Sequence, residues 1–355
     1  MKLPVYILVM LLFFITPAVL SQTCDSVKEC NCALNDRSPA GIMLAHEHSK
    51  GVWKFSYRYM NMAMNGNLLG TQKVDDNFVF NNYIMSPQNM RMDMHMLMAM
   101  YGITNRLSVM AMFNYNVLDM NMSMLPTTLH VHGAGTTSAK STHVMNTKTS
   151  GLGDIQLYAV YSLLNKSDQL LLLNGGVNIP TGNIYNKGNS SDLMYPSQQL
   201  PYMMQMGSGT VDFMPGLTYL MLVNKFSWST QVTSVIRPFM NTRNYRLGNE
   251  GTLNIWAAYQ WFNWLSTSLR LEGIAKGEIV TKDAALSTVM EPSANAKNYG
   301  GKNINSYIGV NFYLNKGFLE NSKLSMEYGM PLYQNINGIQ LAQKSTIYAG
   351  WMISF

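Results

Sequence analysis

The chain has 355 residues and a formal net charge of +6, with 47% hydrophobic but only 12% charged residues. Soluble domains carry about a quarter charged residues, while the mean hydropathy near zero argues against a bundle of long transmembrane helices. Apolar residues dispersed in short alternating runs are typical instead of a membrane β-barrel. The positive charge is spread out, without the block of Lys and Arg that predicts nucleic-acid binding.

The first 21 residues have the pattern of a secretory signal peptide. Lys2 forms a short basic region, residues 5–20 are apolar, and Val19 and Ser21 precede a plausible cleavage site at Gln22. We therefore predict export of the chain and favour a cleaved signal over a membrane helix.

Three cysteines, Cys24, Cys30 and Cys32, lie in the segment 22–51, which we predict to be periplasmic. In an oxidising compartment two of them would pair and leave one over, or all three would provide soft metal ligands. The disulfide is the favoured alternative. A structural zinc site has little support because no CxxC…CxxC pattern is present.

From residue 52 onwards the chain consists of alternating runs of about 10 to 13 residues, the length that a tilted membrane strand needs. Each run is rich in Val, Ile, Tyr, Phe, Trp or Met at every other position. The predicted strands are 52–64, 90–101, 106–118, 153–164, 169–180, 208–222, 226–238, 252–263, 266–278, 303–315, 322–333 and 344–355. We predict an all-β fold, a transmembrane antiparallel β-barrel of twelve strands over residues 52–355.

The connections between these strands alternate in length. The short ones are GITN, NKSD, VNK, NWL and NKGFLEN, and the long ones are 65–89, 119–152, 181–207, 239–251, 279–302 and 334–343. Such alternation is typical of outer-membrane barrels, which have short periplasmic turns and long external loops. The predicted location is therefore the bacterial outer membrane, with outer-membrane lipid around the barrel.

The first and last strands carry further signals. An aromatic row from Trp53 to Tyr59 alternates with Lys54 and Arg58. Because charges are costly near the membrane midplane, we predict that the aromatic row faces lipid and the two basic residues face the lumen. The last strand ends on Phe355, which resembles the signal read by the outer-membrane assembly machinery, a predicted partner.

Four segments, 38–62, 150–164, 170–184 and 200–220, resemble the outer-membrane transporter family named for the MetA pathway of phenol degradation. The motifs SGLGD and GSGTVD are the more specific parts, and the carboxyl third matches only in pattern. The resemblance implies an outer-membrane β-barrel, distantly similar to fatty-acid channels, with a role in solute passage. It implies no agreed substrate and no catalytic residues.

The two motifs also have a direct physical interpretation. The glycines of SGLGD (150–154) and GSGTVD (207–212) stand where external loops re-enter strands, and glycine permits a bulge or sharp bend there. We favour structural corners over a ligand-binding loop. Asp154 and Asp212 are then candidates for the mouth of the lumen.

The longest external loop contains a candidate metal site. His130 and His132 stand two residues apart and His143 follows them. In an extended loop the first two would point to one side, and two imidazoles suit Cu, Zn or Ni. The alternative, that these side chains are solvated and bind nothing tightly, is favoured.

No catalytic arrangement is predicted. The GxSxG, HExxH and P-loop motifs are absent, and His95 is the only histidine on a predicted strand. We therefore predict that the protein is not an enzyme and requires no cofactor, and we consider a Cu or Ag ion only as a transported or bound species.

Methionine is the most unusual feature of the composition, with 30 residues. Thioethers bind Cu(I) and Ag(I), but methionine is also a flexible apolar filler, so the direction of each row decides its role. In the first and third strands the methionines share a row with polar side chains. The predicted lumenal methionines are Met60, Met62, Met64, Met110 and Met112, with Asn114 and Asn116 beside the last two.

In the second strand, MRMDMHMLMAM at residues 90–100, every even position is methionine. If the following hairpin has a two-residue turn, His95 pairs with Asn114 and Asp93 pairs with Asn116, and the methionines face lipid. A three-residue turn reverses the faces. Because that would leave His95 facing lipid, with Arg91 and Asp93 towards the rim, we favour the first register on charge cost.

The predicted function is passage of a small solute across the outer membrane, with copper or another soft metal ion as its narrower form. The alternatives are a channel for small hydrophobic or aromatic compounds, and a plugged, metal-sequestering or structural surface protein. The predicted lumen-lining residues are Lys54, Arg58, Asp93, His95, Asn114, Asn116, Asp154 and Asp212.

Overall fold

The chain forms thirteen β-strands in the part that the computed structural model describes, residues 36–45, 49–124, 144–188, 198–314, 316–317 and 319–355. The strands are β1 (Trp53–Gly70), β2 (Gln72–Val74), β3 (Met85–Gly102), β4 (Leu107–Met124), β5 (Val144–Leu152), β6 (Ile155–Asn165), β7 (Gln169–Ile179), β8 (Asp212–Val223), β9 (Phe226–Val235), β10 (Glu250–Phe262), β11 (Leu265–Lys276), β12 (Gly301–Leu314) and β13 (Ser322–Ser354). The helices are α1 (Asp76–Phe80) and two 3-10 turns, Tyr202–Met204 and Pro292–Ala294. No helix of the described residues is long and apolar enough to cross a membrane.

Eleven of the strands form one closed antiparallel barrel. Neighbours along the chain pair in turn, and β13 closes the ring by pairing with β1. The other two strands lie outside the ring, with β2 paired to β1 and β5 paired to the upper half of β4. The predicted closed antiparallel barrel is confirmed, whereas this count does not confirm the predicted number of twelve strands.

The longest strand, β13, folds back on itself. Its first half pairs with β12 and its second half pairs with β1. The two ends of the strand are adjacent, since Ser354 N donates to Asn321 O at 3.3 Å. Gly338, with a φ of +59°, lies between the halves in a backbone conformation that favours glycine. The long loop predicted at 334–343 was therefore wrong, because the chain reverses there within strand structure.

Short connections lie together at one end of the barrel. They follow β3, β6, β8, β10 and β12, and the first residue of β1 and the carboxyl terminus lie at the same end. The other connections lie at the opposite end. By the usual arrangement of outer-membrane barrels, the short-turn end is periplasmic and the other end is external.

An apolar belt surrounds the part of the barrel near the periplasmic end. Trp53, Phe55 and Phe113 are among its exposed side chains. The strands β1, β3 and β4 each contain 18 residues, more than the 9 to 11 or so that cross a bilayer, so their upper parts extend beyond the belt. A closed barrel with an apolar outer belt is a structure of outer membranes, and the chain is located in the bacterial outer membrane.

The register between β3 and β4 is opposite to the one that we favoured. Ile103 N donates to Leu107 O at 2.9 Å, which leaves three residues in the turn. Met100 consequently pairs with Met110, and His95 pairs with Tyr115 instead of Asn114. The even methionines of β3 face the lumen, and the predicted lumenal position of Asp93 and His95 was wrong.

The charge argument failed because of where the charges lie along the strand. Arg91 and Asp93 lie above the apolar belt, in the part of β3 that extends beyond it. Outward charges there meet water and head groups, so their cost is small compared with charges at the membrane midplane.

Labelling of neighbouring positions on β3 tests this register. In a variant without the native cysteines, we expect a fluorophore on Leu97→Cys to be quenched by lipid-borne quenchers and one on Met98→Cys to be protected from them. Successive side chains of a strand point to opposite faces, and Leu97 is 59% exposed whereas Met98 is 5% exposed. Stronger quenching at position 98 than at 97 would contradict the register.

Residues 36–45 lie inside the barrel at its periplasmic end, and we call this segment the plug. Eight of its ten residues are buried. Arg37 reaches the periplasmic ends of two hairpins, donating to Asn224 O at 2.9 Å and to Gln260 Oε1 at 3.1 Å. Residues 36–45 of the predicted periplasmic segment are thus lumenal, whereas residues 49–51 are exposed. Cys24, Cys30 and Cys32 lie outside the described residues.

Candidate functional site

One wall of the lumen consists of methionines from β1, β3 and β4. Direct cross-strand partners include Met60 with Met94 and Met98 with Met112. The buried or half-buried methionines of this wall are Met60, Met62, Met64, Met85, Met90, Met92, Met94, Met96, Met98, Met100, Met110, Met112, Met120, Met122 and Met124. The five methionines that the sequence pointed to lie on this wall, and the row of β3, which we had assigned to lipid, joins them.

The methionine wall contains two packed clusters. The lower cluster surrounds Leu44 of the plug and includes Met96, Met98, Met100, Met110 and Met112. The upper cluster lies beneath the external loops and includes Met85, Met90, Met120, Met122, Met204 and Met206. Met92 packs against both clusters. The thioether surface is therefore continuous from the external loops down to the plug.

The two faces of these strands use different apolar side chains. Outward positions carry residues such as Leu97, Val109 and Phe113, whereas most inward apolar positions of the same strands carry methionine. If apolarity alone were needed inside, leucine or valine would supply it. Methionine adds a soft sulfur atom that can ligate Cu(I). The lumenal wall is thus distinguished by its sulfur chemistry.

Hard or imidazole ligands do not assemble into a metal site in the described part of the chain. No group of three or more His, Cys, Asp or Glu side chains there is close enough to hold a metal ion. The candidate ligands His130, His132 and His143 lie outside the described residues.

The opposite wall of the lumen holds a charged cluster around Arg270. This guanidinium donates to both carboxylate oxygens of Glu327, at 2.9 and 3.0 Å, and to Glu272 Oε1 at 3.0 Å. It also stacks on the ring of Tyr307, 3.7 Å from the centroid. The bidentate geometry compensates the charge of this buried guanidinium.

Ion pairs hold the start of the plug. The Asp36 carboxylate lies 2.9 Å from Lys323 Nζ and 3.8 Å from Lys54 Nζ, and all three residues are buried. Lys323 also donates to the Asp36 and Ser38 carbonyls at 3.2 Å. Lys54 thus lies in the lumen and has a defined role there, holding the plug.

The rest of the plug is held through its backbone. Arg58 Nη2 donates to Ile42 O at 2.9 Å and Gln231 Nε2 donates to Met43 O at 2.8 Å. Gly41 N donates to Glu327 Oε2 at 2.8 Å, so the Arg270 cluster also contacts the plug. Sequence reasoning missed the plug because none of these partners is local in the chain.

Asp154 and Asp212 belong to a buried network at the external end. Asp154 accepts hydrogen bonds from Gly182 N, Ser208 N and Asn178 Nδ2 at 2.8 to 2.9 Å. Asp212 accepts from Thr210 Oγ1 at 2.5 Å. Their donors come from the connection between β7 and β8 and from β7 itself, so the two carboxylates fasten external segments to the barrel. The neighbouring Asn114 and Asn116 are inward and buried.

The glycines of the second motif, GSGTVD, stand at close approaches to neighbouring segments. A Cβ on Gly207 would lie 2.3 Å from Asp154 Oδ1 and 2.9 Å from Gly182 Cα, and Gly209 has a φ of +70°. Both positions exclude other residues on steric grounds. This geometry agrees with the interpretation as structural corners.

Asp93 and His95 form contacts on the outer surface instead. His95 Nδ1 lies 2.7 Å from Tyr57 Oη, and Asp93 pairs with Arg91 at 2.8 Å and with Asn61 at 2.8 Å. This polar group lies at the upper edge of the apolar belt, so it has no part in the lumen.

No protein-family model and no curated protein matches the sequence. Among solved structures, an outer membrane channel from Pseudomonas putida F1 is similar with a TM-score of 0.57 and 15% identity, over 88% of this chain and 98% of that chain. A FadL homologue from Pseudomonas aeruginosa has a TM-score of 0.40 and 9% identity, over 86% of this chain and 90% of that one. The first likeness shows a shared fold, and the second is too weak to add to it.

Proposed function

We propose that the protein is an outer-membrane channel for a small solute and that the plug closes it at the periplasmic end. The observation that carries the proposal is the plug itself, a segment of the same chain seated inside a closed barrel. Hydrogen bonds and ion pairs hold it, among them those of Lys323 and Arg58, and none of these contacts is covalent. A segment held in this way can leave and open the lumen.

The cargo that the methionine wall supports best is a soft monovalent metal ion, Cu(I) or Ag(I). Thioethers are soft ligands that select Cu(I) over hard cations. The wall runs without interruption from the upper to the lower cluster through Met92, so an ion could pass between neighbouring sulfur sites. Each site would be weak, which suits passage because an ion must also leave.

Replacing the methionines in the middle of the wall tests whether the cargo is a soft metal ion. We expect the triple variant Met94→Leu, Met96→Leu, Met98→Leu to lose most Ag⁺ entry into proteoliposomes, because leucine keeps a similar volume but removes the sulfur. The matched control is Met326→Leu, Met330→Leu, since both methionines face outwards on β13, and it should transport like the wild type. Equal Ag⁺ entry through all three proteins would contradict the metal cargo and leave the channel in place.

A channel for small hydrophobic or aromatic compounds is the second candidate. It is favoured by the basic side chains of Lys54, Arg58 and Lys323 on the inner wall around the plug, which would repel a free cation once Asp36 has left. A methionine wall also suits an apolar solute. Entry of a neutral aromatic compound into the same proteoliposomes, without Ag⁺ entry, would favour this candidate.

The third candidate, a permanently plugged metal-sequestering or structural surface protein, is supported by the filled lumen. Conductance in planar bilayers separates it from a channel, because a permanently plugged barrel would give no openings under any voltage. We keep the expectation that the protein is not an enzyme and requires no cofactor.

Two structural expectations belong to the proposal. The two halves of β13 pair with different neighbours, which supports a barrel wall of twelve crossings, as the sequence indicated.

Phe355 is 72% exposed and its N donates to Trp53 O at 2.8 Å, so its side chain is available to the assembly machinery while its backbone closes the barrel.

A further inference from the structure

A cavity beneath the external loops is lined by methionines that meet from separate segments. Its lining includes Met85, Met122, Met145, Met290 and Glu291, and we call these five residues the external thioether site. Met85 N donates to Met290 O at 2.8 Å, which holds those two residues together. Met122 and Met145 are direct partners in the ladder between β4 and β5.

Among the described residues, Glu291 is the one charged side chain that lines this cavity. It is buried, and its carboxylate accepts a hydrogen bond from Ser293 Oγ. No basic side chain within the described ranges forms an ion pair with it. A buried carboxylate without a cation is costly, and a bound cation would remove that cost.

We propose that the external thioether site binds one soft monovalent cation, Cu(I) or Ag(I), with sulfur ligands from its methionines and charge compensation from Glu291. Thioethers prefer Cu(I) to hard divalent ions, and Glu291 is the single carboxylate among the described residues that line the cavity. Met85 and Met122 also belong to the upper cluster of the methionine wall. The site therefore stands where an ion would join that wall from outside.

The role of this site in transport rests on the proposed soft-metal function. The binding of Cu(I) at the site does not depend on that function and can be measured separately. The decisive measurement is Cu(I) binding by the full-length protein in detergent, in competition with a chromophoric Cu(I) chelator. We compare Met122→Leu, Met145→Leu, Met290→Leu with the control Met240→Leu, Met326→Leu, Met330→Leu, whose methionines are exposed. We expect the first variant to bind one Cu(I) fewer per chain than the control and the wild type.

A single conservative substitution keeps the test valid if the triple variant does not fold. Glu291→Gln retains the shape of the side chain and removes its charge, and we expect about tenfold weaker Cu(I) binding at the same stoichiometry, which corresponds to about 1.4 kcal/mol. Ag⁺ should compete for the site, while Zn²⁺ should leave the Cu(I) titration unchanged.

Unchanged stoichiometry and affinity in the folded triple variant or in Glu291→Gln would overturn the site. If the wild type binds the ion here but carries no Ag⁺ into proteoliposomes, the site stands and the proposed metal channel fails. If Ag⁺ enters and the variants bind like the wild type, the channel stands and the site is overturned.

Discussion

Asp36→Asn is expected to open the channel. The wild-type carboxylate compensates Lys323 and Lys54 in a buried position. Breaking a buried ion pair by removing one charge costs about 3 to 5 kcal/mol, and this cost falls on the closed state because the lysines become hydrated when the plug leaves. The ratio of open to closed channels should therefore rise by about two to four orders of magnitude.

Single-channel recording in planar bilayers measures this ratio directly. The matched control is Asp168→Asn, in the periplasmic turn between β6 and β7, which lies outside the plug and its contacts and should gate like the wild type. Deletion of residues 36–45 should give the conductance of the fully open lumen. If Asp36→Asn and the deletion both remain as closed as the wild type, residues 36–45 are not the gate.

Glu327→Gln is expected to destabilise the barrel by about 3 to 5 kcal/mol. The substitution removes one charge from a bidentate pair and leaves Arg270 buried with a single carboxylate, Glu272. It also weakens the acceptor for Gly41 N, so the plug should loosen in the same variant. The guanidinium cannot lose its proton to escape this cost.

Urea unfolding of the protein in detergent micelles, followed by circular dichroism, measures the loss of stability in Glu327→Gln. The control is Glu250→Gln, because its partner Lys276 is 45% exposed at a distance of 3.2 Å. Glu250 itself is 25% exposed, and a pair that is this accessible to solvent contributes only about 0 to 1 kcal/mol. Equal midpoints for the two variants would show that the Arg270 cluster does not stabilise the barrel.

Most of the barrel could be predicted from the sequence because the alternation that a membrane strand requires is a property of adjacent residues. A strand between lipid and lumen must alternate between side chains that face lipid and side chains that face the lumen. This period of two identified eleven of the strands near their true positions, such as Phe226–Val235 and Leu265–Lys276. The alternation of short and long loops identified the periplasmic and the external end of the barrel. Strand length beyond the membrane was missed, because the outward residues above the belt are polar and the apolar outer row that marked each predicted strand ends there.

The candidate site was predicted only in part, because its parts depend on contacts between distant residues. Met60 and Met110 were found through polar residues of their own strands. The β3 methionines required the register of a hairpin, and one residue more in its turn exchanges the two faces. The plug is missing from sequence reasoning, since Asp36 meets Lys323 across nearly the whole chain.

The sequence by itself determined the barrel class, the outer-membrane location and the excess of methionine, since alternation, loop length and composition are properties of adjacent residues. Only the tertiary structure decided that the β3 methionines face inwards, that residues 36–45 fill the lumen, and that Met145 and Met290 share a cavity with Glu291. The physical reason is that closing a barrel fixes register around the whole ring and brings residues hundreds of positions apart into contact.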